Sequence, residues 1–156
     1  MAEDSADRRL TAARVCGELN ACGANYLVIG GIACALHGYV RATTDVDILI
    51  ERTLANAERV LAAVSRLGFG FAGDWLPREI LARPITVIGD DPQIDVFTIA
   101  WSVKYEDAVK RSSLLEVEGV PIPLIGIDDL IETKRTGRPL DAADLEALEE
   151  IKRLRG

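Results

Sequence analysis

The sequence has a single histidine and only three cysteines among its 156 residues. The cysteines, Cys16, Cys22 and Cys34, form no CxxC pair, and their odd number argues against a disulfide framework and against a zinc site. The lone His37 excludes a histidine-rich metal centre within one chain. We therefore expect three small structural thiols in a reducing compartment.

The chain also lacks an apolar run of the roughly 18–20 residues that a membrane helix needs. Arg41, Asp45 and Asp47 interrupt the best candidate. The first residues, MAEDSADRR, are polar and acidic, which is unlike a signal peptide. We therefore expect a cytoplasmic protein that has no membrane partner.

Basic residues are in the minority, since 18 Lys and Arg stand against 25 Asp and Glu and give a net charge of −7. This balance disfavours non-specific binding of nucleic acid over the whole surface. It does not exclude a local basic track, although solvated helix faces explain each basic cluster more simply.

Apolar periodicity predicts helices that alternate with strands. With 156 residues, of which 49% are hydrophobic, the chain suits one domain over residues 1–156. Helices are predicted at 5–23, 31–38, 53–69, 127–137 and 138–156. Strands are predicted at 25–31, 45–51, 85–89 and 94–99, a hairpin at 114–125 and a loop around Trp75 and Pro77. This order predicts an α/β (α+β) fold with a central mixed sheet flanked by helices.

Two aspartates lie one residue apart within the predicted strand DVDILIE. Asp45 and Asp47 project from the same face of that strand, with Cα atoms roughly 6.5–7 Å apart. Asp95 is a third carboxylate in an apolar strand, and it converges with them if the two strands are neighbours. A lone aspartate is explained by solvent at a strand end, but three together repel unless cations neutralise them. The trio predicts two Mg²⁺ ions about 3.5–4 Å apart, which stabilise an in-line phosphoryl displacement.

Gly30 and Gly31 stand between a predicted strand and a predicted helix. Glycine lets the backbone approach a ligand closely, and amides at the start of a helix favour phosphate. A tight turn explains such a pair at least as well when it is taken alone.

At these residues the sequence resembles the DNA polymerase β-type nucleotidyltransferase superfamily. The signature of that family is an apolar residue, Gly-Gly or Gly-Ser, a spacer, Asp-apolar-Asp-apolar, and a third acid on a later strand. The matching stretches are IGG at 29–31, DVDI at 45–48 and IDV at 94–96. The longer stretch GGIACALHGYVRATTDVDI is similar to small prokaryotic abortive-infection and toxin–antitoxin-type nucleotidyltransferase-like proteins. IDDLIETKRTGRPLDAADLEAL resembles their C-terminal helices.

The resemblance implies catalytic and metal-binding roles for the aspartates. Asp45 and Asp47 would hold two Mg²⁺ ions together with the triphosphate. Asp95 would bind the catalytic ion and help to deprotonate the acceptor hydroxyl. Gly30 and Gly31 would hold the phosphates through their backbone amides.

The resemblance also suggests nucleotide-binding roles for Arg41, Thr44 and Lys134. Related sequences carry an Arg-x-Thr pattern before the first aspartate, and either Thr43 or Thr44 corresponds to its threonine. Pairing with an acid explains Arg41 as well, strand propensity explains Thr44, and a surface position explains Lys134. Trp75 and Trp101, both able to stack on a base, are explained more simply by packing.

The function implied is that of a Mg²⁺-dependent nucleotidyltransferase, which moves a nucleoside monophosphate from an NTP to a hydroxyl acceptor. A tRNA end, a protein or a small molecule would be the acceptor, in a toxin–antitoxin or phage-defence system. The alternative is a non-catalytic nucleotide- or partner-binding module that keeps the fold, and a metal-dependent phosphohydrolase is a weaker third. Because no acceptor domain is evident, we expect a homodimer or a partner protein to complete the site.

Overall fold

The computed structural model describes residues 2–67, 71–89 and 92–156, and its centre is a six-stranded mixed sheet. The strands are β1 (Tyr26–Ile29), β2 (Asp45–Ile50), β3 (Ile85–Ile88), β4 (Gln93–Phe97), β5 (Ser113–Val117) and β6 (Val120–Leu124). Their order is β3-β4-β2-β1-β6-β5, with β2 parallel to β4 and antiparallel to β1. A mixed sheet combined with helices confirms the predicted fold class.

The α-helices are α1 (Ala2–Ala21), α2 (Gly30–Leu36), α3 (Leu54–Ser65), α4 (Pro77–Leu81), α5 (Tyr105–Ala108), α6 (Ile127–Thr133) and α7 (Pro139–Leu154). Short 3₁₀ turns occupy Phe71–Asp74 and Val109–Arg111. α1 packs against α3 and β6, and α6 packs against α7. None of the described helices is both long enough and apolar enough to cross a membrane.

The helix α3 begins where a side chain satisfies its first free amides. The Thr53 hydroxyl accepts a hydrogen bond from the Asn56 backbone N–H at 3.2 Å, as expected of an N-cap. Asn56 is fully buried, and its amide donates to the carbonyl oxygens of Asn25 and Glu51, at 2.9 Å each. These bonds connect the start of α3 to the residue before β1 and to the residue after β2. The apolar stripe of the helix includes Val60, Leu61 and Val64. Burial of each large side chain in this stripe stabilises the fold by about 1.5–3 kcal/mol.

Period-two alternation gives β2 and β4 one apolar face, and a second face that is polar where the strands begin and apolar at Leu49 and Phe97 further along. The apolar side chains are fully or almost fully buried, and they are Val46, Ile48, Ile94 and Val96. The other face carries four half-buried polar residues, Asp45, Asp47, Gln93 and Asp95. The two strands therefore build a core on one side and collect polar groups on the other.

Some boundaries differ from the sequence prediction. The loop predicted around Pro77 contains α4, which is too short for apolar periodicity to reveal it. The Glu79 carboxylate accepts from the Leu76 backbone N–H at 2.8 Å, and proline occupies the first turn. In the predicted hairpin, Glu118 and Gly119 both have positive φ, 51° and 78°, which is typical of a tight two-residue turn. The predicted end of α3 at 68–69 lies outside the described residues.

Candidate active site

Strand register brings three carboxylates to one patch of the sheet. Asp47 pairs in register with Asp95 on the neighbouring strand β4, and Asp45 precedes Asp47 by two residues on the same face. Asp47 also lies opposite Ile29, the last residue of β1. The patch therefore lies where β2 and β4 begin and β1 ends.

The amide of Gln93 lies between two of these carboxylates. Its Nε2 donates to Asp95 Oδ1 at 2.9 Å and to Asp45 Oδ2 at 3.3 Å. Asp45 accepts a further bond, at 3.1 Å, from the hydroxyl of the exposed Thr44. The partial positive charge of the amide thus occupies a position that a cation would take between the carboxylates.

Asp47 is the least satisfied acid of the three. Its Oδ1 atom is buried and has no hydrogen-bond partner. Burial, and then the charge and hydrogen bond of Asp95 and the charge of Asp45, raise the pKa of Asp47 from its usual value near 3.8 to about 7. Lys134 acts in the opposite direction and lowers this pKa. A buried carboxylate oxygen without a partner is costly, and it is the kind of oxygen that Mg²⁺ prefers as a ligand.

Cation binding would require side chains at this patch to rearrange. Within residues 2–67, 71–89 and 92–156, no three His, Cys, Asp or Glu side chains are arranged so that they could hold a metal ion as they stand. The donor chemistry fits Mg²⁺, because three carboxylates, one with an orphaned oxygen, lie on the same face of two neighbouring strands. The Gln93 amide would have to leave its place between Asp45 and Asp95.

Gly30 lies directly against the Asp47 carboxylate. Its φ of +68° is in the left-handed region, and a Cβ there would lie 2.0 Å from Asp47 Oδ2 and 2.7 Å from Cγ. A Cβ on Gly31 would lie 2.8 Å from the side chain of Thr43. Close packing therefore requires both glycines, whereas phosphate binding by their amides stays a prediction.

We expect Gly30→Ala to lower the free energy of unfolding by about 3 kcal/mol, because left-handed strain of about 1–2 kcal/mol adds to overpacking of a similar size. Gly119→Ala is the matched control, since its φ is also positive but no atom lies within 4 Å of the added Cβ. Urea unfolding of both variants measures the difference. Equal losses would show that the Asp47 side chain moves aside at little cost.

Arg41 and Lys134 converge on a fully buried carboxylate, Asp144. Arg41 donates to it through Nε at 2.8 Å and Nη2 at 3.0 Å, and Lys134 Nζ lies 2.9 Å away. Lys134 also lies 3.7 Å from Asp141 and is 8% exposed, so the surface interpretation of this lysine is wrong. For Arg41, the structure shows the pairing with an acid. The nucleotide-binding roles of Arg41, Thr44 and Lys134 stay predictions.

A cavity of about 360 Å³ opens beside Asp47. Its polar lining includes Lys134 and Arg138, and its apolar lining includes Phe97 and Trp101. A larger cavity of about 710 Å³ lies between α6 and α7 and contains none of the three aspartates. The smaller cavity is therefore the candidate ligand site, because acidic, basic and aromatic groups surround one volume.

Comparison with known proteins identifies the fold. No family model and no curated protein matches the sequence. An antigenic nucleotidyltransferase-like protein from Paracoccidioides brasiliensis has a similar structure, with a TM-score of 0.57 and 15% identity over 94% of this chain and 75% of that one. A candidate nucleotidyltransferase from Thermotoga maritima gives a TM-score of 0.52 and 14% identity over 90% and 86% of the two chains. The chain has a nucleotidyltransferase-like fold.

The sequence predictions gave no role to two residues of the candidate active site. Gln93 stands two residues before Asp95 and so shares its face, a spacing that could have revealed it. Asp144 forms its bonds to Arg41 across 103 positions, which no local pattern reveals. Gln93 donates to Asp45 and Asp95, which were predicted to bind metal ions. Asp144 pairs with Arg41 and Lys134, which were predicted to bind the nucleotide.

Proposed function

We propose that this chain is a Mg²⁺-dependent nucleotidyltransferase that moves a nucleoside monophosphate from an NTP to a hydroxyl acceptor. The observation that carries the proposal is Asp47, which is buried with an orphaned oxygen and paired in register with Asp95. The nucleotidyltransferase-like fold supports the same reaction class.

Asp45, Asp47 and Asp95 would hold the cations. When bound, two divalent ions neutralise phosphate charge and stabilise the attacking and leaving oxygens of an in-line displacement. The acceptor oxygen forms a bond to the α-phosphorus, the bond from that phosphorus to the bridging oxygen breaks, and pyrophosphate leaves. The half-buried Asp95 would accept the proton of the acceptor hydroxyl.

Cationic and anionic groups of the cavity wall balance each other. The wall carries two cations, Lys134 and Arg138, and two carboxylates, Asp47 and Asp141, so its formal charges cancel. Arg138 donates to Asp141 at 2.8 Å but is 75% exposed, so its guanidinium remains accessible from solvent. Divalent cations held at Asp47 would make the wall net positive, which favours an anionic ligand.

The sequence resemblance supports the remaining parts of the proposal. The acceptor hydroxyl belongs to a tRNA end, a protein side chain or a small molecule, and the setting is a toxin–antitoxin or phage-defence system. A second copy of the chain or a partner protein completes the acceptor side.

The second candidate is a non-catalytic nucleotide-binding module. The Gln93 amide favours it, because this amide donates to both Asp45 and Asp95 and lies where the reaction would need the cations. Both candidates predict nucleotide affinity, and only the first predicts turnover.

Incubation with each α-labelled NTP, Mg²⁺ and separate pools of tRNA, protein and antibiotic tests the proposal. We expect label to appear on one pool with the unmodified protein and none with Asp47→Asn, because that variant loses a ligand oxygen. Asp128→Asn makes the same chemical change at a 62% exposed side chain outside the cavity, and it should transfer label normally. Circular dichroism checks that both variants fold.

Two outcomes would contradict the proposal. Nucleotide binding without label on any pool would favour the binding module. Undiminished transfer by Asp47→Asn would remove the carboxylate site from the mechanism.

A further inference from the structure

Trp101 is a large aromatic residue in an unusual position. It is 61% exposed, although tryptophan is usually well buried, and its φ is +57°, a left-handed conformation that non-glycine residues rarely adopt. Such conformations persist where the surrounding structure enforces them, and they cluster at functional sites.

The turn that carries Trp101 is firmly anchored. The backbone N–H groups of Ala100 and Val103 each donate to the carbonyl oxygen of the other residue, at 2.9 Å. Both side chains are buried, at 4% and 7% exposure. The backbone of Trp101 is therefore held in place while its side chain is exposed to solvent. Because the backbone is already ordered, it loses little conformational freedom when a ligand binds.

Trp101 lines the same 360 Å³ cavity as Asp47. Ile85, 40% exposed, and the half-buried Phe97 continue the apolar lining, whereas the cations Lys134 and Arg138 and the carboxylates Asp47 and Asp141 form the charged lining. A ligand that fills this volume would therefore combine a flat apolar part with an anionic part, which the exposed Arg138 and cations held at Asp47 would bind. A nucleoside triphosphate has both parts, and aromatic side chains bind bases of every kind through their π faces.

We propose that Trp101 is the stacking platform for the nucleobase of the NTP, with Phe97 and Ile85 forming the rest of the base subsite. This inference rests on the proposed nucleotidyltransferase function and deepens it. Stacking selects an aromatic ring without reading the edges of the base, so the cavity would accept all four NTPs with modest differences in affinity.

Fluorescence isolates this subsite, because the sequence has only two tryptophans. The other tryptophan, Trp75, has the Arg83 guanidinium over its ring, with Arg83 Cζ 4.8 Å from the ring centroid. The substitution Trp75→Phe leaves Trp101 as the sole indole. In this background we expect ATP with Mg²⁺ to quench the emission, whereas inorganic triphosphate with Mg²⁺, which has no base, should bind without quenching.

Two variants separate the ring from the backbone. Trp101→Asn removes the ring while tolerating the left-handed conformation, and we expect ATP affinity by calorimetry to fall about 10-fold, with inorganic triphosphate affinity unchanged. Trp101→Phe keeps an aromatic ring and should recover most of the affinity. Neither change removes a buried side chain, so both variants should fold.

The outcomes distinguish the subsite from the reaction. If ATP binds the unmodified protein and binds Trp101→Asn equally tightly, the subsite is overturned and the proposed function stands. If no NTP binds the unmodified protein, the proposed function fails and the subsite fails with it.

Discussion

Asp144→Ala is expected to lower the free energy of unfolding by about 3–5 kcal/mol, because it leaves buried cations without their counter-charge. Asp144 is fully buried, and the side chains of Arg41 and Lys134 that contact it are only 20% and 10% exposed. After the substitution, the one ion pair left to Lys134 among the described residues is with the more distant Asp141, at 3.7 Å. A domain of this size is usually stable by about 5–15 kcal/mol, so the loss is a large share of the total.

Urea unfolding followed by circular dichroism measures this effect. The matched control is Asp128→Ala, which removes a carboxylate from an ion pair with Lys152 in which both side chains are more than half exposed, at 62% and 55%. Such exposed pairs contribute little, so the control should unfold almost as the unmodified protein does. Similar midpoints for the two variants would show that the cluster around Asp144 does not support the fold.

Asp47→Asn is expected to stabilise the metal-free protein at pH 8, in contrast to its expected loss of transfer. The folded state raises the pKa of Asp47 to about 7, so it binds this proton more tightly than the unfolded chain does. The corresponding stability is fully present below about pH 4 and is lost as the pH rises through about 7. The variant carries no titrating group at this position and avoids the loss, which amounts to about 2.6 kcal/mol between pH 5 and pH 8.

Thermal unfolding at pH 5 and pH 8, in the presence of a chelator, measures the prediction. The advantage of Asp47→Asn over the unmodified protein should grow by roughly 5–10 °C between the two pH values. Asp128→Asn, at an exposed position, should show no such growth. A constant difference across this pH range would mean that Asp47 ionises in the fold as readily as in the unfolded chain.

The sequence predicted the parts of the fold that depend on local pattern. The strands β2 and β4 and the helix α3 follow from apolar periodicity and flanking caps, and the grouping of Asp45 with Asp47 follows from strand geometry alone. Asp95 joins them because β4 lies next to β2, an adjacency that the sequence predictions stated only as a condition.

The remaining parts depend on contacts between distant segments. The bridging position of Gln93 requires the register of β2 against β4, and the burial of Lys134 requires α7 to pack with Asp144 against it. A single sequence carries no direct signal of either contact. It therefore predicted the charged groups of the site better than it predicted their partners.

The position of β1 inside the sheet determines how this chain can fold. All four residues of β1 are buried, and Val28 pairs with Leu124, which lies far along the sequence. Until β6 arrives, β1 presents an open edge to other chains, and closing so long a loop costs entropy before the pairing compensates for it. We therefore expect the sheet to be completed only after β6 has been synthesised, and a chain shortened before Val120 to be prone to aggregation.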